Sequence, residues 1–265
     1  MTVLSVENLQ AGYSNRIILS EVNFEVMKGE IRVILGGSGC GKTTLLKNII
    51  GLEDPIQGTV MLLEKNIQTL DLEERNKHFH RIGVLFQNGA LMGSMTIEEN
   101  VALPLRLHTD IPEPVIKELV MMKLGLVRLE HALHLYPAEL SGGMKKRAAL
   151  ARAMIMDPEI LFCDEPSAGL DPLTAAELDD LILHIRDLFG VAVVVVTHEL
   201  MSIKTIADKI LMLSDGRVVF DGPLAAAKVS TMPEVQSFFA REPQPDKQKG
   251  QKLTDLLKNH QDQSR

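Results

Sequence analysis

The chain has no tryptophan, only two tyrosines and only two cysteines in 265 residues. Cys40 and Cys163 cannot make a disulfide framework, so the fold must rest on a packed core, and a reducing compartment is expected. Long apolar runs are missing too. The longest, Val191 to Val196, falls far short of the ~20 residues that cross a bilayer, so any membrane role must come through a partner. Long basic runs are absent and the net charge is −7, which disfavours nucleic acid as a partner. The opening Met1 to Glu7 lacks the basic and apolar segments of a signal peptide. No internal repeat is visible.

What is present is an alternation of strand and helix signals. Val3 to Val6, Arg16 to Leu19 and Val22 to Val26 read as short strands. Ile31 to Leu35 is a strand that runs into a glycine-rich loop, followed by a helix from Lys42 to Ile50. From about Gln87 to Arg152, β-branched runs give way to Leu, Met and Ala at helical spacing, as in Val115 to Leu126. This predicts an all-helical subdomain, about residues 88–152, inserted into a sheet domain spanning 1–240. Ile160 to Cys163 and Val191 to Thr197 are continuous apolar strands with a helix between them (about Leu173 to Phe189), the pattern of a parallel sheet buried on both faces. Ile210 to Leu213, Asp215-Gly216 and Val218 to Phe220 predict a hairpin with a type I′ turn. Residues 241–265 form a polar tail. Pro243, Pro245 and Lys247 to Lys252 read as a linker, and Leu253, Leu256 and Leu257 offer one small apolar face.

The chemistry concentrates at the ends of the strands. Gly36-Gly37-Ser38-Gly39-Cys40-Gly41-Lys42-Thr43 matches the phosphate-binding pattern G-x-x-x-x-G-K-[ST], with Thr44 next in the helix. Glycines let the backbone wrap an anion, and the helix adds its positive N-terminal end. Lys42 supplies a charge for the β- and γ-phosphates of ATP, and Thr43 a hydroxyl for Mg²⁺. Asp164 and Glu165 end a buried strand, at the sheet edge where ligands gather. Asp164 suits the metal, and Glu165 suits a general base acting on water. His198 follows another buried strand and suits a γ-phosphate contact. Gln87 follows Ile82 to Phe86 and can reach the metal or the water. Tyr13 can stack on adenine. Ser141 and the N–H groups of Gly142 and Gly143 would open a helix from Met144 to Met154, whose positive end favours a γ-phosphate. Cys40, inside the loop at a helix N-terminus, is expected to be a reactive thiol.

In this order these elements resemble the ATP-binding cassette (ABC) ATPases over about residues 3 to 222. Tyr13 is similar to the adenine-stacking loop and Gly36 to Thr44 to the Walker A loop. Gln87 corresponds to the Q-loop and Leu140 to Met144 to the signature. Asp164 and Glu165 resemble Walker B with its catalytic glutamate, Ala168 to Asp171 the D-loop, and His198 the switch histidine. The resemblance implies a P-loop NTPase core, a mostly parallel α/β sheet with flanking helices. An N-terminal antiparallel β-subdomain and the inserted α-helical subdomain are added to it. It also implies a head-to-tail pair with a second copy of the chain, each ATP lying between one copy's Walker A loop and the other's signature.

Departures narrow the resemblance. The signature usually ends in Gln and here ends in Met144. With Phe86 to Leu91, Val120 to Leu124 and Met144 to Ala153, this looks like the ATPases of Mla/Mce lipid transport systems. That implies ATP and Mg²⁺ as cofactors and a membrane permease (MlaE-like) as partner, with an MCE protein (MlaD-like) and a STAS-domain protein (MlaB-like). The expected location is the cytoplasmic face of the bacterial inner membrane. A helix as short as that of the C-terminal tail is marginal alone, so the tail reads as a passive extension, with docking onto the neighbouring ATPase or the STAS partner as the alternative that the resemblance suggests. Leu91 and Met92, just after Gln87, are the candidates for permease contact. Import of a polar small molecule is the alternative.

Overall fold

The structure, a computed structural model, describes residues 1–13 and 16–240. The chain divides into two compact units, Met1–Ala227 and Lys228–Arg265. The apolar face expected at Leu253, Leu256 and Leu257 lies outside the described residues. In the second unit a short helix spans Pro233–Phe239.

In the first unit β1 (Thr2–Tyr13) and β2 (Arg16–Met27) pair antiparallel. Two twelve-residue strands replace the three short ones expected. The pairing slips at several register shifts, and Asn8 and Glu21 take positive φ. Such bulges interrupt the two-residue alternation by which strands are recognised. After β3 (Ile31–Gly36) and α1 (Lys42–Ile49), β4 (Gln57–Leu62) and β5 (Lys65–Asn66) complete a four-stranded antiparallel sheet in the order β2-β1-β4-β5.

A second sheet carries the site. Helix α2 (Leu72–Phe79) leads to β6 (Ile82–Leu85). Then come α3 (Ile97–His108), α4 (Glu113–Leu126) and α5 (Gly142–Ala153). β7 (Ile160–Asp164), α6 (Pro172–Phe189), β8 (Ala192–Val196), α7 (Leu200–Ile206), β9 (Lys209–Ser214) and β10 (Arg217–Pro223) follow. The sheet order is β10-β9-β3-β8-β7-β6. β9, β3, β8, β7 and β6 run parallel, and β10 is antiparallel to β9. At the β9–β10 turn Asp215 and Gly216 both have positive φ, as a type I′ turn requires.

Apolar side chains from both sheets and α1, among them Leu4, Leu45, Leu46, Ile49, Phe162 and Val194, form one buried core. A second core joins α3, α4 and α5 through Ile97, Val101, Val120, Leu124, Ala148 and Ala151. Local signals fix where these helices start. Thr96 and Glu99 form a reciprocal capping box at α3. Asp171 caps α6, and Gly190 closes it in the left-handed conformation.

One buried acid lies inside this scaffold. Asp179 on α6 is 3% exposed and accepts a hydrogen bond from the Ser202 hydroxyl on α7, which is 2% exposed. Burial pushes the Asp179 carboxyl from an ordinary 3.8 up to about 6; Ser202 opposes the shift, and the Glu199 and Asp180 carboxylates add to it. A raised folded-state value stabilises fully below the unfolded value, and that contribution is lost as pH rises through about 6. Asp179→Asn never ionises and keeps an acceptor for Ser202. Its melting temperature should therefore exceed the native one at pH 8, by an amount equivalent to at most about 3 kcal/mol. The gain should shrink towards zero as the pH falls to about 4. Melting curves across this range check it, and a pH-independent difference would refute it.

Candidate nucleotide site

Four neighbouring parallel strands end at one edge. In register, Ile34 of β3 faces Val196 of β8, Val196 faces Asp164 of β7, and Cys163 faces Leu85 of β6. The residues that follow are Gly36 to Gly41, His198, Glu165 and Gln87. Strand order alone thus gathers side chains that are far apart in sequence.

In the phosphate loop, Gly36, Gly39 and Gly41 have φ of 154°, 77° and 106°. A β-carbon on Gly36 would sit 2.3 Å from the Leu213 carbonyl oxygen, and one on Gly41 would sit 2.5 Å from the Leu19 side chain, so neither position admits another residue without displacement. Around Gly37 and Gly39, by contrast, the space is open, and Ser38 is exposed beside them. No side chain caps α1 and no acid lies in its first turn, which leaves its positive end free for an anion. The Lys42 ammonium donates to the carbonyls of Gly36 (2.9 Å) and Gly37 (3.0 Å), so it lies across its own loop. Thr43 is exposed at the start of α1 and Thr44 is buried behind it.

Glu165 is held on three sides. Its N–H donates to Val196 O (2.8 Å), its carbonyl accepts from Lys146 Nζ (2.9 Å), and its Oε1 meets His198 Nδ1 at 2.7 Å. Its φ of 46° lies in the left-handed region, which an L-residue occupies at a cost. The other oxygen, Oε2, is buried without a hydrogen-bond partner among the described residues. Burial, then the Glu165 carboxylate, pushes Asp164 above the ordinary carboxylate value, while Lys146 and Lys42 oppose the shift. Cys163, fully buried beneath them, is pushed up to about 12 by that burial. His198 is 65% exposed on its free side.

The other expected residues occupy different places. The Tyr13 hydroxyl donates to Glu53 (3.0 Å) and Lys47 lies 5.8 Å from its ring centroid, and the residue as a whole is 45% exposed. Gln87 is exposed, and among the described residues only its carbonyl has a partner, Lys146. Among the described residues, no hydrogen bond joins Ser141, Gly142 or Gly143 to the phosphate loop of the same chain. They begin α5, which starts at Gly142 and not at Met144. The correction has a local cause: Ser141 is extended and its hydroxyl accepts from Met144 N (3.3 Å), so the helix begins directly after this cap.

Three side chains not singled out by the sequence hold this frame. Lys146 reaches the carbonyls of Gln87 and Glu165. Burial pulls its ammonium below the ordinary value, opposed by Cys163, Asp164, Glu165 and Glu199. Arg152 donates to Ala90 O (2.7 Å) and Gly89 O (2.8 Å). The fully buried Asn100 binds Met92 N and the carbonyls of Met92, Met95 and Thr96, which shapes the loop that leaves Met92 51% exposed. A lone Asn beside the apolar Val101-Ala102-Leu103 run of α3 is the signal that could have marked Asn100.

The donor set also suits a metal. Asp164, the Thr43 hydroxyl and the Gln87 amide offer hard oxygen ligands. Among the described residues no group of three His, Cys, Asp or Glu side chains could hold an ion alone. That is the incomplete shell magnesium uses when nucleotide phosphates and water supply the rest.

Cys40 is 8% exposed, behind Gly36 and 4.0 Å from the Lys42 ammonium. A group added to its sulfur would crowd Gly36 and Lys42 in the phosphate loop. Alkylation should therefore block ATP binding, bound ATP should slow it, and Cys40→Ser should be resistant. Equal inhibition of Cys40→Ser would place the sensitive thiol elsewhere.

A glycine cradle, a Walker-type carboxylate pair and a signature helix on a cassette fold define an ABC ATPase. The chain belongs to this family: the ABC transporter family matches residues 19–168, more than half of it. Members bind and hydrolyse ATP, and the fold and activity expected above stand on this match. Escherichia coli K12 MlaF, an intermembrane phospholipid transport ATP-binding protein, is 41% identical over 225 residues, 85% of this chain and 84% of that protein. A Mycobacterium leprae protein described as a probable ribonucleotide transport ATP-binding protein, mkl, is 39% identical over 236 residues, 89% of this chain and 68% of that protein. The chain thus spans about two thirds of that longer relative. Among solved structures, the cassette MJ0796, dimeric in a post-hydrolysis state with ADP and phosphate, matches with TM-score 0.77 and 30% identity, covering 83% of this chain and 98% of that one. CbiO1 of Clostridium perfringens matches with TM-score 0.78 and 29% identity over 91% of each chain.

Proposed function

We propose that the chain powers phospholipid transport through an MlaE-like permease, with an MlaD-like MCE protein and an MlaB-like STAS protein as companions. Near-complete mutual coverage with MlaF carries this reading, and the Met144 ending of the signature fits it. No helix among the described residues is long and apolar enough to cross a membrane, which suits a subunit held peripherally at the inner face of the bacterial inner membrane by its permease.

Two copies pair head to tail. Lys42 and the loop from Gly36 to Gly41 hold the phosphates, with Thr44 behind them, and Tyr13 stacks on adenine. Thr43, Asp164 and Gln87 hold magnesium, which neutralises phosphate charge when bound. Glu165 takes the proton of the attacking water. His198 orients Glu165 through Nδ1 and presents its exposed side to the γ-phosphate. Ser141, Gly142 and Gly143 complete the site of the other copy. Residues 1–240 act as one ATPase domain. The inserted helical subdomain, about 88–152, passes the closing motion to the permease through Leu91 and Met92.

The relative named for ribonucleotide transport favours the alternative, a polar substrate. The assembled transporter, reconstituted in vesicles, separates the two. ATP-driven movement of a fluorescent phospholipid, with no uptake of labelled nucleotides, is expected. Nucleotide uptake without lipid movement would reverse the assignment.

A further inference from the structure

Lys146 is 6% exposed, an unusual place for an ammonium. It stands on α5, one turn beyond the signature residues Ser141 to Gly143. Its two acceptors are backbone carbonyls of Gln87 and Glu165, on different loops. The same face of α5 holds the Gln87 loop at two further points. A β-carbon on Gly89 would lie 3.2 Å from the Ala149 methyl, and Arg152 takes the Gly89 and Ala90 carbonyls. The spacing 146, 149, 152 places all three on one side of the helix. Lys146 differs from Arg152 in also reaching Glu165. It is therefore the point at which the signature helix, the Q-loop and the catalytic glutamate meet.

We propose that Lys146 is a positioning residue that pins the Glu165 and Gln87 peptides to the signature helix, so that the three move as one when the partner's ATP engages Ser141. The proposal rests on the reading of Glu165 and Gln87 given above. A side chain touching no phosphate should matter for turnover and not for nucleotide affinity. Removing the ammonium takes the charged donor from the Gln87 carbonyl and leaves the Glu165 carbonyl with the Ala168 N–H alone (3.2 Å). The peptide of Glu165, held at positive φ, then loses one of its restraints.

The test uses the full-length chain, with steady-state ATPase activity, binding of a fluorescent ATP analogue and thermal unfolding measured together. Lys146→Met should lower kcat about 10–100-fold, as expected for losing charge-assisted hydrogen bonds, with analogue affinity within about threefold of native. Lys146→Arg keeps the charge and the donors and should restore kcat to within about threefold of native. Should Lys146→Met not fold, Lys146→Gln carries the same comparison with one amide donor and an intermediate loss. Near-native kcat in Lys146→Met or Lys146→Gln, affinity lost in proportion to kcat, or failure of Lys146→Arg to rescue would overturn the proposal. Glu165→Gln run in parallel separates the two readings. If it hydrolyses normally, the assignment of the site fails. If it is inactive while Lys146→Met is normal, only the positioning role fails.

Discussion

Glu165→Gln is expected to bind ATP like the native chain and to lose about 10²–10⁴ of its hydrolysis rate, the range for removal of a general base. The geometry makes this a clean substitution. The backbone is held by Val196 and Lys146, so the amide occupies the place of the carboxylate. Its carbonyl oxygen can still meet His198 Nδ1. What disappears is the basicity of Oε2, the carboxylate oxygen without a hydrogen-bond partner among the described residues. Binding without hydrolysis should hold two copies together, visible as an ATP-dependent shift to dimer on size exclusion. Turnover near the native rate would remove Glu165 from the mechanism.

Lys42→Met should have its effect one step earlier. The Lys42 ammonium rests on the Gly36 and Gly37 carbonyls, close to the space a phosphate would enter. Its charge is the strongest that the loop itself supplies. Methionine keeps the length of the side chain, and the partly exposed position carries little of the core, so the fold should persist. ATP affinity should fall about 10–100-fold, the worth of a charge-assisted contact, and hydrolysis should fall with it. Titration with a fluorescent nucleotide measures this. Unchanged affinity would mean that the phosphates lie elsewhere.

The parts of the site legible in the sequence are those whose chemistry is local. The phosphate loop lies within a strand, turn and helix that are continuous in the chain, and Glu165 and His198 each follow an apolar strand directly. Lys146 and Arg152 were not legible because their acceptors lie 59 and 19 residues away for the one and 62 and 63 for the other, and nothing in a helix pattern announces a distant carbonyl. In the fold, the parallel strands were visible as apolar runs. The long first strands were not, because Asn8 and Glu21 turn the chain at bulges and break the alternation. The helix between residues 72 and 79 carries little sequence signal for another reason. Helix α2 is almost entirely exposed and buries only His78, so it carries no apolar stripe.

In the head-to-tail pairing proposed above, each ATP would lie between Lys42 of one copy and Ser141 of the other. Lys42→Met and Ser141→Arg should each be inactive alone, one lacking the phosphate cation and the other the signature contact. Mixed in equal amounts, they form heterodimers in which one site has an intact Lys42 and an intact Ser141. The decisive measurement is the ATPase activity of that mixture. With half the dimers mixed and one of two sites intact, recovery to about a quarter of the native rate is predicted for two-fold symmetric pairing. A mixture as inactive as its components would contradict a nucleotide site shared between two copies.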